Sequence, residues 1–186
     1  MYAGLRMAAD DFWELPDDGH RYELINGVVL MSPPPSFEHS DLAAEVYAQM
    51  VEYVRPRKLG KLYSEPGVCF ASDQVYQPDI VFYAGSRTSG VKGRLAIPPD
   101  LVVEFLSPRT RAKDLNTKRD DYARFGVREY WAIGRDEAWK FVLRDGKYVA
   151  EEITGDRLAS EVIAGFVLDL RIARAGIVGG DESGEE

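Results

Sequence analysis

Hydrophobic positions with helical spacing predict two main helices. Apolar residues recur at positions 42, 43, 46, 47, 50, 51 and 54, which is the periodicity of an amphipathic helix. Ser36 precedes this run as a candidate N-cap, and Pro56 predicts its end. A second amphipathic helix is predicted to begin near Asp114 and to end at Gly126. A short helix is predicted at about residues 8–14.

Runs of β-branched and aromatic residues between these helices predict strands. The segment RYELINGVVLMS predicts a hairpin, because Asn-Gly is the pair best suited to a type I′ turn. KLYSEPGVCFAS predicts a second hairpin or a bulged strand pair. Single strands are predicted in YQPDIVFYAG, LVVEFL and REYWAIG, and a further hairpin in AWKFVLRDGKYVAEE. The apolar segment EVIAGFVLDLRI fits no single type of element.

This order of elements predicts an α/β fold. A mixed central β-sheet would be flanked by helices, with additional N-terminal and C-terminal β-hairpins. A chain of 186 residues without an internal repeat or low-complexity linker predicts one domain, over residues 1–178. Residues 179–186 are expected to form an acidic, disordered tail.

Composition narrows the class of protein. The single cysteine, Cys69, excludes an intramolecular disulfide and a zinc ribbon. Because the sequence has neither a signal peptide nor a run of 18 apolar residues, a cytoplasmic protein outside the membrane is expected. The net charge of -8 argues against indiscriminate coating of nucleic acid. Residues 107–128 are nevertheless basic, with seven Lys or Arg residues against three acids.

Three acidic residues interrupt apolar strands. Glu23 lies in YELI, Asp79 in PDIVF and Glu104 in VVEFL. Any one of them could face solvent, because the side chains of a strand alternate between its two faces. A buried carboxylate, in contrast, needs a proton or a cationic partner. Three convergent carboxylates would share a divalent cation, and their oxygen ligands favour Mg²⁺ or Mn²⁺.

The order of these motifs resembles a known superfamily. Asp79 follows a proline, Glu104 comes 25 positions later, and VVEFLSPRT, an aspartate, a lysine and YARFGVREYW follow in order. This pattern resembles the PD-(D/E)XK, restriction-endonuclease-like nucleases, and more narrowly the Uma family of predicted bacterial endonucleases. The resemblance covers roughly residues 8–150. It implies a restriction-endonuclease-like α/β core and metal-dependent hydrolysis of phosphodiester bonds.

The resemblance also assigns residues to a metal site. Asp79 and Glu104 match the two catalytic acids that bind the metal, and the main-chain carbonyl of Phe105 matches a further ligand. Glu23 matches an early glutamate that adds a ligand or holds a metal-bound water. The lysine expected two positions after Glu104 is replaced by Leu106.

A lysine on the following helix can take the place of the absent one. Lys118 is the first candidate, as in related families that move this lysine to a neighbouring helix, and Lys113 is the second. The alternative for Lys118 is a solvated helix lysine. Asp114 is interpreted as a helix cap.

Other residues are expected around this site. His39 would lie beside the metal or phosphate, or would be an ordinary helix-start histidine, and Tyr122 would pack toward the site. Ser107 and Thr110 are interpreted as turn residues. Basic residues on and before the second helix are expected to hold the phosphate backbone: Arg109, Arg111, Lys113 and Arg119.

The leading hypothesis is therefore an Mg²⁺- or Mn²⁺-dependent endonuclease acting on DNA. The resemblance further suggests a homodimer. One alternative is a noncatalytic module with the nuclease fold, which would bind nucleic acid or have a regulatory role. Another is a hydrolase acting on a different phosphate compound, because fold alone does not fix the substrate.

Overall fold

The structure, a computed structural model, describes residues 1–89 and 93–175. Its helices are α1 (Ala9–Trp13), α2 (Phe37–Arg57), α3 (Arg119–Arg124) and α4 (Leu170–Ala175), with a π-helical segment, Lys113–Lys118, directly before α3. Its strands are β1 (Arg21–Ile25), β2 (Val28–Ser32), β3 (Gly60–Ser64), β4 (Val68–Ala71), β5 (Gln74–Tyr76), β6 (Ile80–Ala84), β7 (Leu101–Phe105), β8 (Glu129–Ile133), β9 (Ala138–Arg144), β10 (Lys147–Glu152), β11 (Arg157–Ala159) and β12 (Val167–Asp169).

A six-stranded mixed sheet forms the centre of the fold, in the order β10-β9-β8-β7-β6-β3. Only the β7–β8 pair is parallel; the other neighbours in this sheet are antiparallel. The parallel pair requires a crossover, which the π-helical segment and α3 supply. The predicted α/β architecture with a mixed central sheet is confirmed.

A second, antiparallel sheet of four strands has the order β2-β1-β5-β4. The β1–β2 hairpin has the predicted turn, since Asn26 and Gly27 both have positive φ values, of 50° and 71°. The hairpin predicted for KLYSEPGVCFAS is wrong. β3 pairs with β6 in the six-stranded sheet, whereas β4 pairs with β5, so the chain changes sheets at Glu65 to Gly67.

Alternate residues of the central strands pack against different layers. Val103 and Phe105 on β7 face a core formed with α2, α4 and β12. Val102 faces the opposite core, which contains Tyr122 of α3 and Tyr76 of β5. Glu104 follows the same alternation, so its side chain lies on the face that carries α3 and the four-stranded sheet.

The predicted helix boundaries agree closely with the structure. Ser36 caps α2, and its side chain accepts a hydrogen bond from the His39 backbone N–H at 3.2 Å. The helix continues one residue beyond Pro56, to Arg57, and its C-cap residue Lys58 is left-handed with φ 53°. The segment EVIAGFVLDLRI, for which the sequence predicts no single type of element, contains β12 and the start of α4. The tail predicted for residues 179–186 lies outside the described residues, and the single domain over 1–178 stays a prediction.

Candidate active site

The candidate site is a cavity of about 410 Å³ at the ends of β6 and β7. Strand β1, the start of α2 and the π-helical segment complete its wall. Eight of the residues predicted from the sequence line it: Glu23, His39, Asp79, Glu104, Phe105, Arg109, Lys113 and Lys118. Tyr122 lies behind the wall, in contact with Glu104.

Glu104 lies in a strand whose five residues are all buried, and two side chains hold it there. Its Oε1 accepts hydrogen bonds from Lys118 Nζ at 2.8 Å and from Tyr122 Oη at 2.5 Å. Lys118 and Tyr122 are four positions apart, so a helical segment presents both on one face. Lys118, which is predicted to take the role of the lysine absent at position 106, therefore contacts the carboxylate of Glu104.

Glu23 enters the site from the four-stranded sheet. Its Oε1 lies 3.1 Å from Lys118 Nζ and accepts a 3.3 Å hydrogen bond from the Gln77 backbone N–H. Its Oε2 accepts a hydrogen bond from Lys113 Nζ. Lys118 thus bridges two carboxylates, one from each sheet.

Asp79 is positioned at the entrance to β6 by the neighbouring strand. Its Oδ2 accepts a hydrogen bond from the Phe105 backbone N–H at 2.8 Å. His39 Nε2 lies 3.3 Å from the same oxygen, and the His39 ring packs edge-on against Phe105. The carboxylate of Asp79 is therefore oriented from two sides.

The shared lysine does not give the two glutamates the same pKa. Burial raises the pKa of Glu104 to about 8, with Asp79, Asp114 and Glu23 adding to the rise and Lys118 opposing it. Burial also acts on Glu23, but Lys118 and Lys113 outweigh it and lower the pKa of that carboxyl to about 2. Glu23 is therefore firmly ionised, whereas Glu104 keeps an affinity for a proton.

Some of the predicted phosphate-binding residues form ion pairs with acids of the protein, and others do not. Arg111 pairs with Glu137 at 2.6 Å, Arg119 with Asp120 at 2.7 Å, and Lys113 with Glu23. Neither Arg111 nor Arg119 lines the cavity. Arg109 does line it, and within residues 1–89 and 93–175 it makes no ion pair.

Two carboxylates at the site each have one oxygen without a hydrogen bond from the described residues. Asp79 Oδ1 and Glu104 Oε2 take no hydrogen bond from the described residues, so each carboxylate keeps one oxygen for a ligand, next to the Phe105 main chain. Carboxylate and carbonyl oxygens are the ligands that Mg²⁺ and Mn²⁺ prefer. In the described part of the chain, no group of three or more His, Cys, Asp or Glu side chains is arranged to hold a metal ion.

Asp114 has a different place from the one predicted. It is buried inside the helical stretch, where its backbone N–H bonds to Thr110, and its carboxylate lies 3.7 Å from Lys118 Nζ. It therefore does not cap the helix. The four-residue spacing from Asp114 to Lys118 is the sequence signal that could have indicated the contact. Ser107 and Thr110 form the expected turn, with their hydroxyl oxygens 3.0 Å apart.

Solved structures with a similar fold include a nuclease-like protein. The chain resembles a protein from Anabaena variabilis described as a "putative nuclease belonging to DUF820", with a TM-score of 0.78 and 23% identity over 92% of this chain and 99% of that one. The type IIG restriction endonuclease BpuSI gives a TM-score of 0.43 and 15% identity, over 83% of this chain and 17% of that one. A search of curated proteins finds no match.

A family model that covers most of the chain identifies the class of protein. A family model named Uma2, described as "Putative restriction endonuclease", matches residues 9–171. The chain belongs to the Uma2 family. The resemblance found in the sequence is thereby confirmed, and this family implies a nucleic-acid substrate.

Proposed function

We propose that this protein is an endonuclease that hydrolyses phosphodiester bonds of DNA with Mg²⁺ or Mn²⁺. Asp79, Glu104 and the Phe105 carbonyl would hold the ion, and Lys118 would assist catalysis. The observation that carries the proposal is the 2.8 Å contact between Lys118 Nζ and Glu104 Oε1 in the wall of the cavity. It supplies, from the helix, the cation that position 106 lacks.

The charge of the site supports a divalent ion. Among the charged residues that line the cavity, the buried ones are one lysine, Lys118, and four acids, Glu23, Asp79, Glu104 and Asp114. Buried acids therefore outnumber the buried cation around the two carboxylate oxygens that accept no hydrogen bond from the described residues. Such an excess at buried groups is costly unless a cation or a proton offsets it.

Each residue then has a defined task. A bound divalent ion would lower the pKa of a coordinated water and polarise the scissile phosphate. Lys118 would stabilise negative charge that develops on the phosphate, because its ammonium is already fixed in a desolvated wall. His39 and the Phe105 N–H orient Asp79. Arg109 would bind a phosphate next to the scissile one.

The direct test is cleavage of plasmid, single-stranded and branched DNA with Mg²⁺ or Mn²⁺. Asp79→Asn and Glu104→Gln should each reduce the rate by more than about 100-fold, because even residues that only support metal ligands contribute about 10–100-fold. The matched control is Glu52→Gln, an exposed acid on α2. Absence of cleavage on all three substrates, together with no Mg²⁺ binding by calorimetry, would exclude the enzyme and favour a noncatalytic module.

The homodimer and the cytoplasmic location stay predictions. No helix within the described residues is both long and apolar enough to span a bilayer. Sedimentation equilibrium of the purified chain tests the dimer.

A further inference from the structure

Glu23 differs from the other two predicted metal acids in having no oxygen to spare. Its side chain is 2% exposed, and both of its oxygens already contact an ammonium group. Asp79 and Glu104 each keep one oxygen that accepts no hydrogen bond from the described residues. A cation approaching Glu23 would also meet the positive charges of Lys113 and Lys118. The contacts of Glu23 therefore indicate that it binds the two lysines and not a metal ion.

Lys113 is the more accessible of the two lysines. Its side chain is 30% exposed and lines the cavity, whereas that of Lys118 is 6% exposed. An ammonium group has three N–H donors, and among the described residues only Glu23 accepts from Lys113. Two donors therefore stay available at the cavity wall, where a phosphate oxygen can accept them.

The π-helical segment explains how two lysines reach one carboxylate. Lys113 and Lys118 are five positions apart, and in an α-helix that spacing turns the two side chains about 140° away from each other. In the π-helix that spans Lys113–Lys118, hydrogen bonds run from residue i to residue i+5, so the two lysines lie about one turn apart on the same face.

We propose that Glu23 is a positioning residue that holds Lys113 and Lys118 at the cavity wall, and that Lys113 binds a phosphate of the DNA. Glu23 is then not a metal ligand, in contrast to what the family resemblance implies. The inference rests on the proposed function, since it assigns roles within the same site. Under this proposal Asp79 and Glu104 bind the metal ion. Glu23 instead holds the two lysines in place at the cavity wall.

The first experiment compares two substitutions that preserve charge, Glu23→Asp and Asp79→Glu, by Mg²⁺ calorimetry without DNA. A change in the length of a side chain that coordinates the metal ion weakens the binding of that ion. Asp79→Glu should therefore weaken Mg²⁺ binding by about 10-fold or more. Glu23→Asp should leave it within about threefold of the wild type. If Glu23→Asp weakens binding as much as Asp79→Glu does, Glu23 is a ligand and the inference is overturned.

The second experiment measures DNA binding in EDTA, where no cleavage occurs, as a function of salt. Lys113→Met should reduce the magnitude of the slope of log K against log [salt] by about one, the value for one phosphate contact. Lys61→Met is the control, because Lys61 is exposed and does not line the cavity. Glu23→Asp should reduce the slope as Lys113→Met does. An unchanged slope in Lys113→Met overturns the role of that lysine.

The two experiments separate this inference from the proposed function. A wild-type protein that binds no Mg²⁺ contradicts the proposed metal dependence, whereas the salt slopes still decide whether Lys113 contacts phosphate. Circular dichroism of Glu23→Asp confirms that the variant is folded in both experiments.

Discussion

Glu104 and Glu129 are both acids in buried strands, yet their surroundings differ. Glu104 is the fourth residue of β7 and Glu129 is the first residue of β8, and every residue of both strands is buried. Glu129 accepts hydrogen bonds from the Trp131 indole, the Ser160 hydroxyl and the backbone N–H groups of Glu161 and Val162. Its oxygens tie β8 to a loop, whereas Glu104 keeps one oxygen free of hydrogen bonds. An acid in an apolar strand therefore signals burial, and only its partners separate a structural acid from a candidate ligand.

The raised pKa of Glu104 predicts a pH dependence of stability in the metal-free protein. Between about pH 4.5, the ordinary value, and about pH 8, the folded state holds a proton that the unfolded state releases. The free energy of unfolding should therefore fall as the pH rises through this window, by at most about 1.4 kcal/mol per pH unit for one group. Urea denaturation in EDTA from pH 5 to pH 8 measures the fall.

Glu104→Gln should remove most of this slope, whereas Glu52→Gln should keep it. Saturating Mg²⁺ should also flatten the slope in the wild type, because an ion replaces the proton as the partner of Glu104. A metal-free protein whose stability rises between pH 5 and pH 8 would contradict the prediction.

At the scale of single elements, hydrophobic spacing predicted more of the fold than of the site. The periodicity of residues 42–54 and the Asn26-Gly27 turn depend on local chemistry, and the structure has both elements. The pairing of β3 with β6 depends on contacts distant in sequence, which short-range turn signals do not encode. The contact of Lys113 with Glu23 depends on the π-helical hydrogen bonds, and an assumed α-helix hides it.

The π-helical segment yields a prediction about chain length. Deletion of Asn116 should restore α-helical hydrogen bonding and leave Lys113 and Lys118 four positions apart, about 40° from each other and still on one face. DNA cleavage should then stay within about 10-fold of the wild type, because both lysines still lie on the face that meets Glu23. The assay compares cleavage rates, with circular dichroism to confirm the helix.

Asn116→Ala is the matched control, because it removes the side-chain hydrogen bond to the Ala112 carbonyl while keeping the length of the segment. It should retain most of the activity. Loss of cleavage in the deletion variant but not in Asn116→Ala would contradict this prediction and show that the site needs the extra residue of the π-helical segment.

At the scale of the whole molecule, most of the positive charge predicted to bind phosphate is compensated by acids of the same chain. The net charge is -8, and three of the four predicted phosphate-binding residues pair with acids. Arg109 and the exposed donors of Lys113 are the cations that the cavity offers to phosphate. Metal-free binding to DNA should therefore be weak, with a salt slope of about -2 for two contacts.

Fluorescence anisotropy with labelled duplex in EDTA, over a range of salt concentrations, tests this value. Arg109→Met should bring the slope to about -1, and Lys61→Met should leave it unchanged. A wild-type slope steeper than about -5 would require a basic surface elsewhere on the molecule and would contradict the assignment.

The bridge that Lys118 forms between the two sheets has a consequence for the cell that makes the protein. Glu23 is synthesised early, Asp79 and Glu104 later, and Lys118 after all three. Under the proposed function, a chain still emerging from the ribosome carries every acid of the site before it carries the lysine that unites them. An unfinished copy that ends before Lys118 therefore lacks the cation that the proposed catalysis requires.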